Sequence, residues 1–166
     1  MASQIGAMCA SKVIALLTGT NGVNAGLAAL TAAGTPMPIA LSAAQVQAQN
    51  VAADLAERTT GVQYPAVNVY CEKVSNKMTE KFRSFSGTAQ MAVEIRHSQD
   101  RLDGLQDNLE LYADAVGQAL EGARGDWGDG MFYSGGYEIS YAAAKQGGKN
   151  FLQPAKISFQ IGVSRS

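Results

Sequence analysis

The sequence has few of the residues that mark metalloproteins and disulfide-rich proteins. It contains two cysteines, Cys9 and Cys71, and one histidine, and only 16% of its 166 residues are charged. Because the cysteines lie far apart and form no CxxC pair, their spacing excludes the common zinc and thiol-redox motifs. Buried free thiols are the expected state, and a disulfide within or between subunits is the alternative.

Clustered basic charge and long apolar runs are also missing. The net charge of -1, with no block of Lys and Arg, argues against a broadly basic nucleic-acid-binding protein. No run reaches the roughly 18 uninterrupted apolar residues of a membrane span. The apolar segment from Met1 to Leu17 lacks a basic n-region and contains Lys12, so we predict no signal peptide. We expect a soluble protein made in a cytoplasm, with no membrane partner.

The clearest pattern in the chain is a change of hydrophobic period within residues 89–120. From Ala89 to His97 apolar residues alternate with polar ones, as in a half-buried strand. From Leu102 onward they recur every three or four positions, which predicts an amphipathic helix lying on a sheet. Asp100 is the predicted N-cap of this helix, and Gly122 is its predicted end.

Three other segments, residues 67–71, 137–143 and 157–163, alternate in the same way and predict strands. The first lies close enough to the 89–97 strand to favour antiparallel pairing. The last two flank a turn, Gly147-Gly148-Lys149-Asn150, and predict a hairpin.

Residues 1–60 predict a helical N-terminal region. A first helix is indicated by apolar residues at helical spacing: Ile5, Cys9, Val13 and Leu16. A short Ala-rich segment follows at 23–33, and Ser42 is the predicted cap of another helix that runs to about Arg58. Because the region is low in charge and its stripe is weak, a loosely ordered arm is the alternative.

Together these segments predict a single domain over residues 1–166, with an α+β core over 64–165. The expected fold class is α+β, a two-layer sandwich in which a mainly antiparallel four-stranded sheet is packed by the long amphipathic helix, with N-terminal helices. The other face of the sheet carries Ser, Gln, Glu, Arg and Asn, which suits either solvent or a wet subunit interface.

Residue types used in catalysis and metal binding are present without a recognisable motif. His97, Ser98 and Asp100 include the members of a catalytic triad, but sequence neighbours rarely converge in that geometry, and no GxSxG occurs. The turn at 147–150 lacks phosphate-loop spacing, and residues 126–130 lack the EF-hand alternation and its closing Glu. We therefore expect no enzyme activity, no cofactor and no metal site.

A glycine-rich loop after the long helix contains the candidate interaction site. Trp127, Phe132 and Tyr133 are more apolar than a solvated loop requires, and aromatic anchors are favoured at protein interfaces. Alternatively, the three side chains fold back on the sheet edge of their own subunit. The charged rim of a partner contact would consist of Arg124, Asp126 and Asp129.

The order of these segments resembles a known family. A strand, Val93-Glu94-Ile95-Arg96-His97-Ser98, is followed by Asp100-Arg101-Leu102 and by the helical run Leu109-Glu110-Leu111-Tyr112-Ala113-Asp114-Ala115-Val116. Gly135-Gly136-Tyr137-Glu138 and the alternating last strand, which ends in Val163-Ser164-Arg165, follow. This arrangement, over roughly Tyr64 to Arg165, resembles the tail terminator (tail completion) proteins of long-tailed bacteriophages. The Ala-rich first third departs from the compact members of that family.

The resemblance implies a structural virion protein of the phage tail and neck, assembled in the host cytoplasm. It implies a homo-oligomeric ring, commonly a hexamer, that caps the tail tube protein and meets the head connector proteins, while DNA passes through the lumen without specific binding. A ring needs two different complementary patches on each subunit; the polar sheet face and the loop 122–136 are the candidates. A head-tail connector or adaptor is the alternative of the same class, and a small α+β hydrolase or ligand-binding domain is the alternative of another class.

Overall fold

A computed structural model describes residues 4–32, 39–52, 62–147 and 149–166. The helices in these ranges are α1 (Ile5–Thr18), α2 (Val23–Ala32) and α3 (Leu105–Glu121), with a short 3-10 helix at Ala43–Gln45. The first four strands are β1 (Val46–Gln47), β2 (Ala66–Asn76), β3 (Phe85–Gln99) and β4 (Gly125–Gly128). The other four are β5 (Met131–Tyr133), β6 (Glu138–Tyr141), β7 (Lys145–Gly147) and β8 (Asn150–Arg165).

The α+β class is confirmed, but the sheet is larger than the four strands predicted. Its order is β1-β2-β3-β8-β5-β4, and both β6 and β7 also pair with β8. The strand β1 runs parallel to β2 and the other pairs are antiparallel, so the described sheet is mixed. The additional strands are two to four residues long, and such short segments are too brief to display a measurable alternation.

The centre of the sheet is the antiparallel pair of β3 and β8. Their register is continuous from Phe85 opposite Arg165 to Gln99 opposite Phe151. The inner face of this pair is almost completely buried and consists of Ala89, Met91, Val93, Ile95, Ala155, Ile157, Phe159 and Ile161. Each of the large side chains among them contributes about 1.5–3 kcal/mol on burial. The predicted alternation over 89–97 and 157–163 is therefore confirmed.

The long helix α3 covers this inner face. Its buried side chains include Leu105, Leu109, Tyr112, Val116 and Leu120, the predicted stripe apart from its first member. The predicted end is also confirmed, because the N–H of Gly122 donates to the carbonyl oxygen of Gln118 at 3.1 Å.

The predicted N-cap of the long helix, Asp100, is wrong. Strand pairing of β3 continues as far as Gln99, so Asp100 lies in the connection that follows the strand and its side chain is exposed. The helix begins at Leu105 after Gly104, which has a left-handed backbone (φ 77°) and provides no side-chain cap. Leu102 belongs to this connection as well, and 57% of its surface is exposed.

The two N-terminal helices are packed on the same core. The buried side chains of α1 are Ile5, Cys9, Ala10, Val13 and Leu17. In α2, Gly26 faces α3 so closely that a Cβ at this position would lie 3.1 Å from the Cα of Ala115. The stretch Ile5–Leu30 is long and apolar enough to cross a membrane by length and composition, a test that core helices and signal sequences also pass. Here it is divided into two helices, and Cys9 and Val13 are fully buried.

The helix predicted from Ser42 to about Arg58 is wrong over the residues that the structure describes, and residues 53–58 lie outside them. Ser42 precedes only the 3-10 helix, where its N–H donates to the side-chain oxygen of Gln45 at 2.8 Å. The amide nitrogen of Gln45 donates to the carbonyl oxygen of Pro65 at 3.0 Å. Gln45 is thereby held against the start of β2, and the chain enters β1.

The predicted C-terminal hairpin is confirmed with one interruption. Strand β6 pairs with β8 through Ile139 opposite Ile157, and β7 pairs with β8 up to Gly147 opposite Asn150. Residues 142–144 separate β6 from β7 and have no regular structure. The predicted pairing of the 67–71 strand is confirmed too, since Val67 and Val69 of β2 lie opposite Ile95 and Val93.

Replacing Gly87 by Ala is expected to destabilise the fold strongly. A Cβ at this position would lie 1.8 Å from the carbonyl oxygen of Ser75, so the β2–β3 backbone would have to move apart. We expect a loss of about 1–3 kcal/mol or more in the free energy of unfolding, measured in urea. Gly122→Ala is the matched control, because the nearest atom would be 3.5 Å away. Equal unfolding midpoints for the two variants would contradict this packing.

Candidate interaction surface

The six candidate residues are all placed in or beside one hairpin made by β4 and β5. Its turn uses Asp129 and Gly130, both with positive φ (54° and 79°). The side chain of Asp126 accepts from the N–H of Gly128 at 2.8 Å, which closes the hairpin locally. Asp129 forms a 3.5 Å ion pair with Lys12 of α1. Both partners are exposed, so this pair contributes little stability.

Two of the three aromatic residues fold back on their own subunit. Tyr133 is fully buried, and its hydroxyl donates to the carbonyl oxygen of Gly136 at 3.0 Å. Its ring lies 5.7 Å from that of Phe159 and 5.5 Å from that of Trp127. The half-buried Trp127 donates its indole N–H to the carbonyl oxygen of Ala123 at 2.6 Å. Tyr133 is therefore a core residue here, as the alternative interpretation predicted, and Trp127 covers it.

Phe132 is the aromatic residue that the hairpin leaves accessible. Between Met131 and Tyr133, which face the core, it points to the opposite side of the sheet, and 53% of its surface is exposed. Its partner across to β8 is Gly162, which has no side chain to cover the ring. The charged side chains near it in sequence, Arg124, Asp126 and Asp129, are exposed. Of the three predicted aromatic anchors, Phe132 is the exposed one, and the contact with a partner stays a prediction.

The sequence predicts that the polar face of the sheet meets either solvent or another subunit. In the structure, part of this face is covered by the chain itself. Arg96 is only 2% exposed there, and its guanidinium donates to the carbonyl oxygen of Val51 in the segment that follows β1. Its Nε donates to Glu94 at 3.0 Å, and Nη1 has no hydrogen-bond partner among the described residues. Burial, together with the neighbouring Glu94, raises the pKa of Tyr70 to about 12. This cluster attaches the β1 segment to the sheet.

Two further exposed apolar features were not predicted from the sequence: Phe82 and Met78 belong to no apolar repeat, and Leu102 was assigned to the buried stripe of the helix. At the connection between β2 and β3, Phe82 is 99% exposed and Met78 is 57% exposed. At the other end of β3, the exposed Leu102 borders a hollow of about 370 Å³. The connection between β2 and β3 is polar in composition, but it displays Met78 and Phe82 among its charges.

Groups able to perform chemistry are scattered over the described residues. Cys9 lies with its sulfur 3.8 Å from that of Met131, and burial raises its pKa to about 11. Both cysteines are free in this chain, and Cys71 is half-buried. Within the described ranges no group of three or more His, Cys, Asp or Glu is arranged to hold a metal ion. His97 and Ser98 are successive residues of β3, so they face opposite sides of the sheet.

Comparison with known proteins adds no family assignment. The chain matches no protein-family model, and no curated protein shows significant similarity to it.

Replacing Tyr133 and Phe132 separately should show which of these two neighbours supports the fold. We expect Tyr133→Ser to lower the free energy of unfolding by about 3–5 kcal/mol, since it leaves a cavity next to Phe159. Phe132→Ser should change it by less than about 1 kcal/mol, because the ring is half exposed. Chemical denaturation followed by circular dichroism measures both. A larger loss for Phe132→Ser than for Tyr133→Ser would contradict the described hairpin.

His97 should make the stability depend on pH in a defined direction. Its ring lies 5.6 Å from that of Tyr112, its Nδ1 is buried without a partner among the described residues, and burial lowers its pKa. Below about pH 6.5 the unfolded chain binds a proton that the folded chain resists. The contribution of His97 to the free energy of unfolding is therefore fully present above this pH and is lost as the pH falls below it.

The measurement is the urea midpoint between pH 7.5 and 5, a range that includes the ordinary pKa of histidine, of which the chain has one. The wild type should lose stability toward pH 5, whereas His97→Gln should show a flatter profile. Parallel profiles for the two proteins would contradict the burial of a neutral imidazole.

Proposed function

We propose that this chain is a structural, ring-forming protein of a bacteriophage tail, acting as the tail terminator between tail tube and head connector. The support is the resemblance in element order over Tyr64 to Arg165 together with the surface of the folded subunit. Strand β3, helix α3, the hairpin after it and the last strand β8 follow one another in the order on which the resemblance rests.

Phe132 is the observation that carries the proposal. An aromatic side chain that stays half exposed on a hydrogen-bonded hairpin suits a protein contact, because such anchors release apolar surface from water with little loss of conformational entropy. Two features keep it accessible: its neighbour Gly162 has no side chain, and β4, the next strand outward, is at the edge of the described sheet. Arg124, Asp126 and Asp129 supply the polar rim of an interface.

The role follows from how such subunits assemble. A closed ring, with a hexamer favoured, is built from heterologous contacts between two different patches of each subunit. The low net charge of -1 suits a lumen through which DNA passes without specific binding. In this function the protein works by fitting its neighbours, without catalysis, cofactor or membrane, and it resides in the virion after assembly in the host cytoplasm.

Light scattering and negative-stain imaging of the purified protein test the assembly. We expect rings with a mass of about 104 kDa, six times the 17.4 kDa of one chain. If the protein stays monomeric at every concentration and also binds or turns over a small molecule, this proposal is wrong and the chain is a ligand-binding domain or a hydrolase.

A phage that carries the Phe132→Ser change tests the contact itself. We expect folded protein, heads filled with DNA and a reduced number of joined tails, counted by electron microscopy, because the change removes an interface anchor. Phe132→Leu keeps an apolar side chain and is the control, with nearly normal joining. Normal tail joining by the Phe132→Ser phage would reject Phe132 as the contact site. Capped tails that fail only to attach to the head would instead indicate the head-tail connector or adaptor function.

A further inference from the structure

We propose that the β2–β3 connection of one subunit inserts into a hollow at the opposite end of β3 in a second copy of this chain, joining subunits head to tail. The inserting part, called the tip, is residues 77–83. The receiving part, called the hollow, is lined by Leu102, Asp103, Gly104, Gln106 and Asp107. The inference rests on the ring assembly of the proposed function and names its subunit interface.

The tip displays apolar side chains that its own subunit does not cover. Phe82 is 99% exposed and Met78 is 57% exposed. Both have positive φ (65° and 49°), a backbone region that side chains of this size rarely adopt. Such a conformation persists only where the surrounding structure holds it, and it is often found at binding sites.

Hydrogen bonds hold the tip in this conformation. The side-chain oxygen of Asn76 accepts from the N–H groups of Met78 and Ser86 at 3.2 and 3.1 Å. The N–H of Glu80 donates to the hydroxyl of Ser86 at 3.1 Å, and its carboxylate accepts from the hydroxyl of Ser164 at 2.7 Å. Because the connection is ordered before any partner arrives, association loses little conformational entropy.

The hollow is suited to a side chain such as Phe82. It has a volume of about 370 Å³, and the 57% exposed Leu102 provides an apolar wall. A Cβ built on Gly104 would meet nothing within 4 Å, so the floor is open. The side-chain nitrogen of Gln99 donates to the carbonyl oxygens of Arg101 and Asp103 at 2.9 and 2.8 Å. This connection is therefore braced in the same way as the tip.

The charges of the two parts are complementary. The tip has three cations, Lys77, Lys81 and Arg83, and one anion, Glu80, which gives a net charge of +2. Residues 100–107 around the hollow have three carboxylates and one cation, a net charge of -2: Asp100, Asp103, Asp107 and Arg101. Opposite potentials favour the encounter of tip and hollow and disfavour the contact of two tips or two hollows.

The placement of the two parts favours a chain of subunits over a closed pair. They lie at opposite ends of β3, up to about 45 Å apart along a strand that rises ~3.3 Å per residue. Each subunit thus offers a projecting tip at one end and a receiving hollow at the other. This is a heterologous contact, which closes into a ring when the rotation between subunits allows it.

Phe82→Ser is the first test, with self-association of the full chain measured by analytical ultracentrifugation. We expect the wild type to form species larger than a dimer, and the variant to raise the dissociation constant about 30-fold or more, as for loss of an interface hot spot. Phe82→Leu, which keeps an apolar side chain, should retain most of the association. Because Phe82 is exposed, the unfolding midpoint of each variant should equal that of the wild type at a protein concentration at which the wild type is dissociated.

Mixing experiments then test which surfaces meet. A hollow variant, Leu102→Ser with Asp103→Lys, should lose self-association as Phe82→Ser does. A mixture of the two variants should stop at a dimer, since only one intact tip and one intact hollow can pair. Two charge variants, Lys77→Glu with Lys81→Glu and Asp100→Lys with Asp103→Lys, should each dissociate alone. Together they should restore the large species, because every tip then meets a hollow of opposite charge.

The outcomes separate this inference from the proposed function. Three results would overturn the tip-and-hollow interface. Phe82→Ser could associate as strongly as the wild type, the wild type could stay monomeric or stop at a dimer, or the mixed charge variants could fail to restore the large species. Large wild-type assemblies that depend on Phe82 but fail to join tails in a phage would retain the interface and reject the tail terminator function.

Discussion

The structure depends on the register between β3 and β8. Fifteen consecutive residue pairs, from Phe85–Arg165 to Gln99–Phe151, align the two longest strands. This alignment fixes which side chains face α3, because a slip of one residue would exchange the apolar and polar faces of both strands. It also sets the position of every other strand that pairs with β8, including the hairpin that displays Phe132.

At the candidate site, adjacent residues of one strand are alternately buried and exposed, because successive side chains of a strand point to opposite faces of the sheet. Met131, Phe132 and Tyr133 all have large, mainly apolar side chains, yet the outer two complete the core and the middle one reaches solvent. On the polar face, Arg96 is buried and hydrogen-bonded to the carbonyl oxygen of Val51, while Phe132 stays exposed. The surface available to partners is thus determined by which segments the subunit places over its own sheet.

Long elements could be predicted from the sequence because their patterns repeat. The alternation through Met91, Val93 and Ile95 and the stripe through Leu109, Val116 and Leu120 are each supported by several periods. The boundaries of the elements were harder to predict from the sequence. Pairing of β3 continues to Gln99, so the helix begins at Leu105 and not at the predicted Asp100. The short strands β1, β4 and β7 lack enough residues to show a period.

The candidate site could be predicted only in part. Its aromatic content was visible, but residues 131–133 were treated as loop, and as a strand their alternation would have separated Phe132 from Tyr133. Phe82 lies among charged residues with no apolar repeat, so only the folded backbone reveals that it is uncovered.

The central register also has a consequence for synthesis and folding. It joins residues that lie 52 to 80 positions apart in the chain. Contacts this distant in sequence slow folding, since the intervening chain must first be closed into a loop. During translation β3 leaves the ribosome long before β8, so the edge of β3 that pairs with β8 has no strand partner until synthesis reaches β8. A chaperone that holds nascent chains would protect this strand from aggregation in that interval.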